Sequence, residues 1–461
     1  MRVLLVSTYE LGHQPLHLAS PTAALRAAGH DVATLDISVE EWDRSLVEWA
    51  HAVAFSVPMH TATRLAIQGA EEVKRLRPDV PVCFYGLYAT VKGPADAAIA
   101  GEYEPGLVAW LASSKRSGDP NGVAPGGGAA LGRQHSYLPV RDSLPPLERY
   151  AQLEIGASRR LAGYVEASHG CAHRCRHCPV PVVYDGRTRR VPVDVVIDDV
   201  AQMVEAGAEH ITFGDPDFLN RWAHSMQVVS ELHTRFPSIT YDVTTKVEHI
   251  LRYADLVPQL AATGCLFVVS AFECLNDEIL RYLDKGHTAR EAANAVELLR
   301  GHGIEVRPSW LPFTPWTRVT DVVEILDFVV ANDLVANVDP VQYTIRLLIP
   351  PGSLMLSVPE MKSFLGPYDA SMLSYCWTAL DPAVDLLQKR LAALVEDETE
   401  RGSSIAEIFR AVRDAVYDAA GREPDTGKIV AASDRPRLTE PWFCCAEPTK
   451  GQSDFVIKET T

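Results

Sequence analysis

Short apolar runs alternate along the first hundred residues with stretches of helical periodicity. Residues 3–6, 32–37, 51–57 and 81–85 read as strands, while 16–28 and 63–76 carry the spacing of helices, with Gly29 placed to end the first. Strands separated by helix-length segments predict right-handed crossovers and a parallel sheet covered on both faces. Ligands of such sheets sit beyond the strand carboxyl ends. That singles out residues 8–13, 56–58 and 86–88. Residues 112–136 are small, polar and glycine-rich and read as a flexible surface connection. Gly126-Gly127-Gly128 lacks both a following G-K-[S/T] and a preceding strand, so it is no phosphate loop.

From 164 to about 350 six strand candidates alternate with helices: 164–168, 210–214, 239–244, 265–270, 305–310 and 341–346. In the helix over 195–206, Val196, Val200, Met203 and Val204 share one face and Gly207 stands where it stops. Six such units predict an open (β/α)6 arc, a partial TIM barrel with its chemistry at the strand carboxyl ends. The remainder reads as mostly helical (381–398 and 403–419) and finishes in an irregular tail. The expected organisation is α/β: a flavodoxin- or Rossmann-like sheet over 1–111, a connection over 112–155, the barrel over 156–352 and a helical region with the tail over 353–461.

Bulk properties narrow the class. At 461 residues the chain exceeds one ordinary core, and its 47% hydrophobic content suits a globular protein. A net charge of −17 argues against bulk binding of nucleic acid, and the basic run 187–190 is too short to reverse that. No segment approaches the apolar length of a membrane helix. The strand-like start at Met1 lacks the apolar core of a secretion signal. Together with free cysteines this gives the reducing cytoplasm as the expected compartment.

The chemistry concentrates in Cys171-Ala172-His173-Arg174-Cys175-Arg176-His177-Cys178. Thiolates spaced C-x3-C-x2-C can bind three irons of a [4Fe–4S] cubane and leave the fourth open to a substrate or cofactor. Two plainer readings stand beside it: a zinc site completed by His169, His173 or His177, and inert thiols. Cys444 and Cys445 are the second unusual feature. Adjacent thiols suit thiophilic metals or metalloids, or redox resolution, and otherwise are buried hydrophobes beside Trp442 and Phe443. Cys83, Cys265, Cys274 and Cys376 read as ordinary buried thiols. By strand alternation Arg307 and Arg346 either face inward, where they would bind a carboxylate, or point outward into the helical layer, and Trp310, Phe313 and Trp316 either close a pocket or pack in the core.

These residues resemble the radical S-adenosylmethionine (SAM) superfamily, whose C-x3-C-x-Φ-C loop follows the first strand of a partial TIM barrel; His177 takes the usually aromatic Φ place. The run 179–187, Pro-Val-Pro-Val-Val-Tyr-Asp-Gly-Arg, resembles members with an N-terminal cobalamin-binding-type domain, and Cys444-Cys445-Ala446-Glu447-Pro448 resembles the signature of the CUAEP/CCAEP-tail radical SAM (seleno)proteins. The resemblance implies that Cys171, Cys175 and Cys178 ligate the cluster and that SAM chelates the open iron. Reductive cleavage would then usually give a 5′-deoxyadenosyl radical, with electrons from a reductant such as flavodoxin or ferredoxin. Gly214 and Asp215 stand in for the family's glycine-glycine-glutamate, from which this chain departs, so Asp215 or backbone carbonyls would hold the SAM amino group. Ser270 and Glu273 match the ribose-binding strand end, and Lys285-Gly286-His287-Thr288 follows it. The cobalt-ligating D-x-H-x-x-G is absent, which leaves His13 and His60 as isolated candidates and cobalamin as an open cofactor.

The leading expectation is a transferase that modifies a small molecule, by methylation if cobalamin binds. A second is transfer of a 3-amino-3-carboxypropyl group to a thiophilic acceptor such as trivalent arsenic held by Cys444 and Cys445. From another class, the chain would be a non-catalytic metal or corrinoid carrier.

Overall fold

A computed structural model describes residues 1–89, 94–114, 136–424, 429 and 434–440. The first sheet contains β1 (Arg2–Ser7), β2 (Asp31–Asp36), β3 (Ala52–Ser56), β4 (Val82–Tyr85) and β5 (Ala97–Ile99), all parallel, in the order β2-β1-β3-β4-β5. Helices α1 (Leu16–Ala27) and α4 (Glu104–Ser114) cover one face, α2 (Arg44–Trp49) and α3 (His60–Leu76) the other. Strand alternation explains why β1 is apolar throughout. Val3 and Leu5 pack with Leu18, Leu107 and Trp110, while Leu4 and Val6 pack with Val47, Ala66 and Ala70. Gly29 closes α1 at φ +79°, a left-handed turn as expected of a terminating glycine.

The second sheet holds β6 (Gln152–Ile155), β7 (Ser158–Val165), β10 (His210–Phe213), β11 (Thr240–Thr244), β12 (Cys265–Glu273), β13 (Glu305–Trp310) and β16 (Arg437–Leu438). β7, β10, β11, β12 and β13 run parallel as a half-barrel, and β6 and β16 extend its edge antiparallel. β8 (Ser168–Gly170) and β9 (Thr188–Arg190) form a small antiparallel pair above the arc. Between them lies α5 (Val180–Tyr184). The crossover helices are α6 (Val193–Glu205), α7 (Trp222–Arg235), α8 (Val247–Arg252), α9 (Val257–Ala262), α10 (Asp277–Leu283), α11 (Ala289–Arg300) and α12 (Val319–Ala331). α6 buries Val196, Val200 and Met203, and Gly207 at φ +95° follows it, as the periodicity predicts.

Two expectations need correction. The sixth strand over 341–346 is a 3₁₀ turn, Pro340–Thr344, with a single bridge between Phe313 and Arg346. The β13 edge is instead met by side chains: Trp310 N donates to Gln342 Oε1 (3.1 Å) and Asn337 Nδ2 donates to the Val306 carbonyl (3.0 Å). Side-chain amides thus replace a strand where Pro340 cannot donate. Cys376 is exposed, because it sits on β15 (Ser374–Trp377), which pairs only with β14 (Leu365–Asp369) in a hairpin the sequence reading missed. Helices α13 (Pro382–Glu400) and α14 (Ile405–Ala419) pack beside the barrel, with Leu387, Leu391, Phe409 and Val412 in its core. The glycine-rich segment falls almost entirely outside the described residues, as do Cys444 and Cys445.

Arg141 ties three parts together. Its guanidinium makes a bidentate pair with Asp199 of α6 (3.0 and 2.8 Å), donates to the Tyr164 carbonyl (2.9 Å) and reaches Gln14 Oε1 (3.3 Å). Both partners are buried, 6% and 4% exposed at the side chain, so removing one leaves an uncompensated charge. Arg141→Ala is expected to cost about 3–5 kcal/mol in urea unfolding, and Arg141→Met with Asp199→Leu far less. Equal losses in the two proteins would contradict this account.

Candidate active site

The thiol loop begins where only glycine fits. Gly170 has φ +75°, and a Cβ there would lie 2.4 Å from the Arg187 carbonyl. The chain then crosses the carboxyl ends of the barrel strands with its ends fixed by backbone bonds. Arg176 N donates to the Leu283 carbonyl (2.9 Å), and Cys178 N to the Cys175 carbonyl (3.2 Å). Asn220 Nδ2 reaches Cys171 Sγ at 3.4 Å. Burial, with the Asp217 carboxylate adding to it, pushes the Cys171 thiol up to about 11, so an iron or other cation must drive its deprotonation.

His177, between the second and third cysteines, meets Glu273 Oε1 at 3.0 Å. Lys285 Nζ donates to the same oxygen at 2.8 Å. The three side chains are 7%, 8% and 3% exposed, a dry ionic knot under the loop. Although burial disfavours its charge, Lys285 and His177 hold the Glu273 carboxyl well below the usual carboxylate range. Glu273 ends β12 at φ +65°, where the register to β13 shifts. A left-handed glutamate at a strand end is strained, and such strain concentrates at functional sites.

The donor set separates the metal readings. None of the three cysteines is in a disulfide; two are buried and Cys178 is half-buried. Their sulfurs do not form a group within 4.8 Å of one another; among the described residues only His173, Asp217 and His249 do. A tetrahedral zinc with bonds of about 2.3 Å draws its thiolates to about 3.8 Å apart. Three wider-spaced thiols suit separate irons of one cluster.

The other expected residues divide. Gly214 follows β10, and a Cβ on it would fall 1.9 Å from Tyr164 Oη, so packing explains the glycine. Asp215 is buried, its oxygens engaged by Ala167 N (2.8 Å) and Ser168 Oγ (2.5 Å). Burial pushes its carboxyl up to about 7 against those two donors. It therefore holds the loop's entry strand. Ser270 Oγ on β12 is buried without a partner. Arg307 pairs with Asp339 at 2.6 Å. Arg346 does not join the site: it bonds Asp385 (2.5 Å) and the Trp377 carbonyl (2.6 Å) and lies 3.5 Å over the Trp377 ring. With no sixth strand, alternation no longer sets its direction. Trp310 and Phe313 are core residues, and Trp316 stacks on Tyr282 at 4.6 Å.

The first sheet closes the site from above. Leu87 and Ala100, beyond β4 and β5, pack with Cys171, Cys178, Val180 and Val183. Glu102 accepts from His169 Nδ1 and Tyr184 Oη, each at 3.0 Å. His13 stacks on Tyr164 at 4.6 Å. A narrow cavity of about 10 Å³ lies between Tyr88 and His177, Leu311, Leu347 and Leu348. His60, at the start of α3, is buried with both ring nitrogens unpartnered, and burial pushes it down to about 4. Glu102 and His17 were invisible in the sequence, since only the tertiary fold brings them to the loop.

Burial opposes charging His17, but Glu10 (2.9 Å) and Glu166 (4.0 Å) outweigh it and raise it from 6.5 to about 9. A raised imidazole stabilises fully below pH 6.5, and the contribution is lost as pH rises through about 9. Melting temperature should therefore fall over that window, with a shallower slope in His17→Gln, since His169 titrates in the same direction. An unchanged slope would contradict the assignment.

Among the described residues no helix is long and apolar enough to cross a membrane. Residues 165–329 match the model of the Radical SAM superfamily. Hopanoid C-3 methylase of Methylococcus capsulatus is 24% identical over 327 residues, 66% of this chain; the chain spans only 62% of that protein. Among solved structures, the cobalamin-dependent SAM radical enzyme OxsB with aqua-cobalamin bound superposes with a TM-score of 0.64 at 14% identity, covering 86% of this chain and 67% of that one. The radical SAM methyltransferase TsrM of Kitasatospora setae gives 0.56 at 21% identity, covering 77% and 74%. At these identities the structures establish the shared fold. The half-barrel with its thiol loop is thus the part of the chain that matches the radical SAM superfamily.

Proposed function

We propose that Cys171, Cys175 and Cys178 bind a [4Fe–4S] cluster whose fourth iron takes SAM, and that the protein transfers a SAM-derived group to a small molecule. The observation that carries this reading is the spread of three thiols, none in a disulfide, over the buried His177–Glu273–Lys285 knot. When bound and reduced, the cluster supplies the electron that breaks a carbon–sulfur bond of SAM. The chain's own residues position and shield. Lys285 and His177 both meet Glu273 Oε1, which keeps the carboxylate ionised and leaves Oε2 to accept a ribose hydroxyl. The unpartnered Ser270 Oγ, on the same strand, is a second donor for the nucleotide. Leu87, Ala100 and Val180 keep water from the thiol loop.

Methyl transfer is the version favoured by the likeness to the cobalamin-dependent enzymes and by the first sheet's carboxyl edge turned onto the loop. His60, neutral and unpartnered at that edge, has the chemistry of a cobalt ligand. The cavity beside Tyr88 admits about one water, so a corrin enters only when the two edges part. Aminocarboxypropyl transfer keeps one support: Tyr9 Oη donates to Glu440 (2.7 Å), four residues before Cys444, which anchors the start of the tail at this edge.

Anaerobic protein incubated with SAM and dithionite, with and without hydroxocobalamin, tests these readings. The expected product is 5′-deoxyadenosine, absent from Cys171→Ala/Cys175→Ala/Cys178→Ala, with methylated product only when hydroxocobalamin is present. Methylthioadenosine, lost as transfer activity in Cys444→Ser/Cys445→Ser, would favour aminocarboxypropyl transfer instead. No nucleoside product in any arm would point to a carrier and overturn the enzymatic reading.

A further inference from the structure

We infer that His173, Asp217 and His249 form a separate mononuclear site for one divalent transition-metal ion, zinc or ferrous iron. The three residues come from three elements: the thiol loop, the turn after β10 and helix α8. His249 Nδ1 lies 2.9 Å and His173 Nε2 3.5 Å from Asp217 Oδ2, and the two imidazoles approach at 3.2 Å between their Nε2 atoms. One ligating atom from each falls within 4.8 Å of the others. Around an ion with bonds of about 2.0–2.2 Å, tetrahedral ligands stand about 3.3–3.6 Å apart. The spacing is that of a collapsed coordination sphere.

Hydrogen bonding alone does not account for the cluster. Asp217 is 1% exposed, and its Oδ2 meets His249 Nδ1 (2.9 Å) and His173 Nε2 (3.5 Å) as ion pairs that fall outside hydrogen-bond geometry. Buried polar atoms whose geometry falls short of a hydrogen bond call for an explanation, and a shared cation supplies one. The surrounding shell is already set for one. Thr245 Oγ1 (2.8 Å) and Leu219 N (3.1 Å) occupy Asp217 Oδ1 and leave Oδ2 for the ion. Glu248 Oε2 stands 3.8 Å from His173 Nδ1, as the carboxylate that orients a metal-bound imidazole does. Two histidines and one carboxylate are borderline-hard donors that select zinc or ferrous iron over magnesium or calcium. Three protein ligands leave a position for water or a substrate oxygen, and His173, 16% exposed at its side chain, faces solvent. The ion would pin the thiol loop to the ends of β10 and β11.

This site is independent of the cluster assignment, and the test keeps them apart. Anaerobically purified protein is analysed for iron, sulfide and zinc, then titrated with Co²⁺. One metal per chain beyond the cubane is expected, as one zinc or as five irons to four sulfides. Asp217→Asn and His249→Gln should lose that ion and keep four irons with four sulfides. Cys171→Ala/Cys175→Ala/Cys178→Ala should lose the cubane and still bind one Co²⁺, with visible ligand-field bands and no thiolate charge-transfer band. Should the histidine variant misfold by circular dichroism, the Co²⁺ spectrum of the cysteine variant decides. No extra metal in folded wild-type protein even with added Zn²⁺ or Co²⁺, or equal binding in Asp217→Asn, would overturn the proposal.

Discussion

The carboxylate of Glu273 is the point on which the site depends. It is buried at the end of the fourth parallel strand of the half-barrel, and it satisfies a lysine from the next segment and a histidine from the thiol loop at once. The Glu273 and Lys285 charges, each costly alone in that setting, compensate each other, and the His177 ring adds a further contact to the same oxygen. The left-handed backbone of Glu273 is a local cost that the knot over-determines. Its effect is geometric. The loop between Cys175 and Cys178 is drawn down onto the strand end, so the sulfurs are presented where barrel chemistry occurs.

The second constraint comes from the first sheet, which acts as the roof of the barrel's site. Beyond its parallel strands lie Leu87, Ala100 and Glu102, and those residues contact the thiol loop or the strand that leads into it. Glu102 alone fixes both His169 before the first cysteine and Tyr184 after the last. Arg141 then locks the connecting segment to α6 and to the loop after β1. A thiol loop assembled this way is enclosed between the two sheets, which suits chemistry that water would quench.

What the sequence revealed was what is encoded locally. Apolar runs gave β1 and β3 because buried parallel strands are apolar on both faces, and Gly29 and Gly207 marked real helix ends. The cysteine spacing exposed the loop, and Glu273 was singled out by its match to the ribose-binding strand end. The failures share a cause. Residues 341–346 have a strand-like pattern, but Pro340 and the side chains of Asn337 and Gln342 meet the β13 edge instead, so Arg346 turns to Asp385. Asp215 or backbone carbonyls were read as holding the SAM amino group, whereas the Asp215 oxygens accept from Ala167 N and the Ser168 hydroxyl at the loop's entry. Glu102, His17 and the pairing of His173 with Asp217 and His249 depend on contacts across tens to over a hundred residues, which no local pattern carries.

Low-temperature EPR of the dithionite-reduced protein, native and Glu273→Gln, addresses the role of the knot most directly. The native protein should give a reduced-cubane signal whose g values move on adding SAM, and the variant, folded by circular dichroism, should lose that response or the signal itself. A Glu273→Gln protein with full cluster content and an unaltered response to SAM would contradict the account.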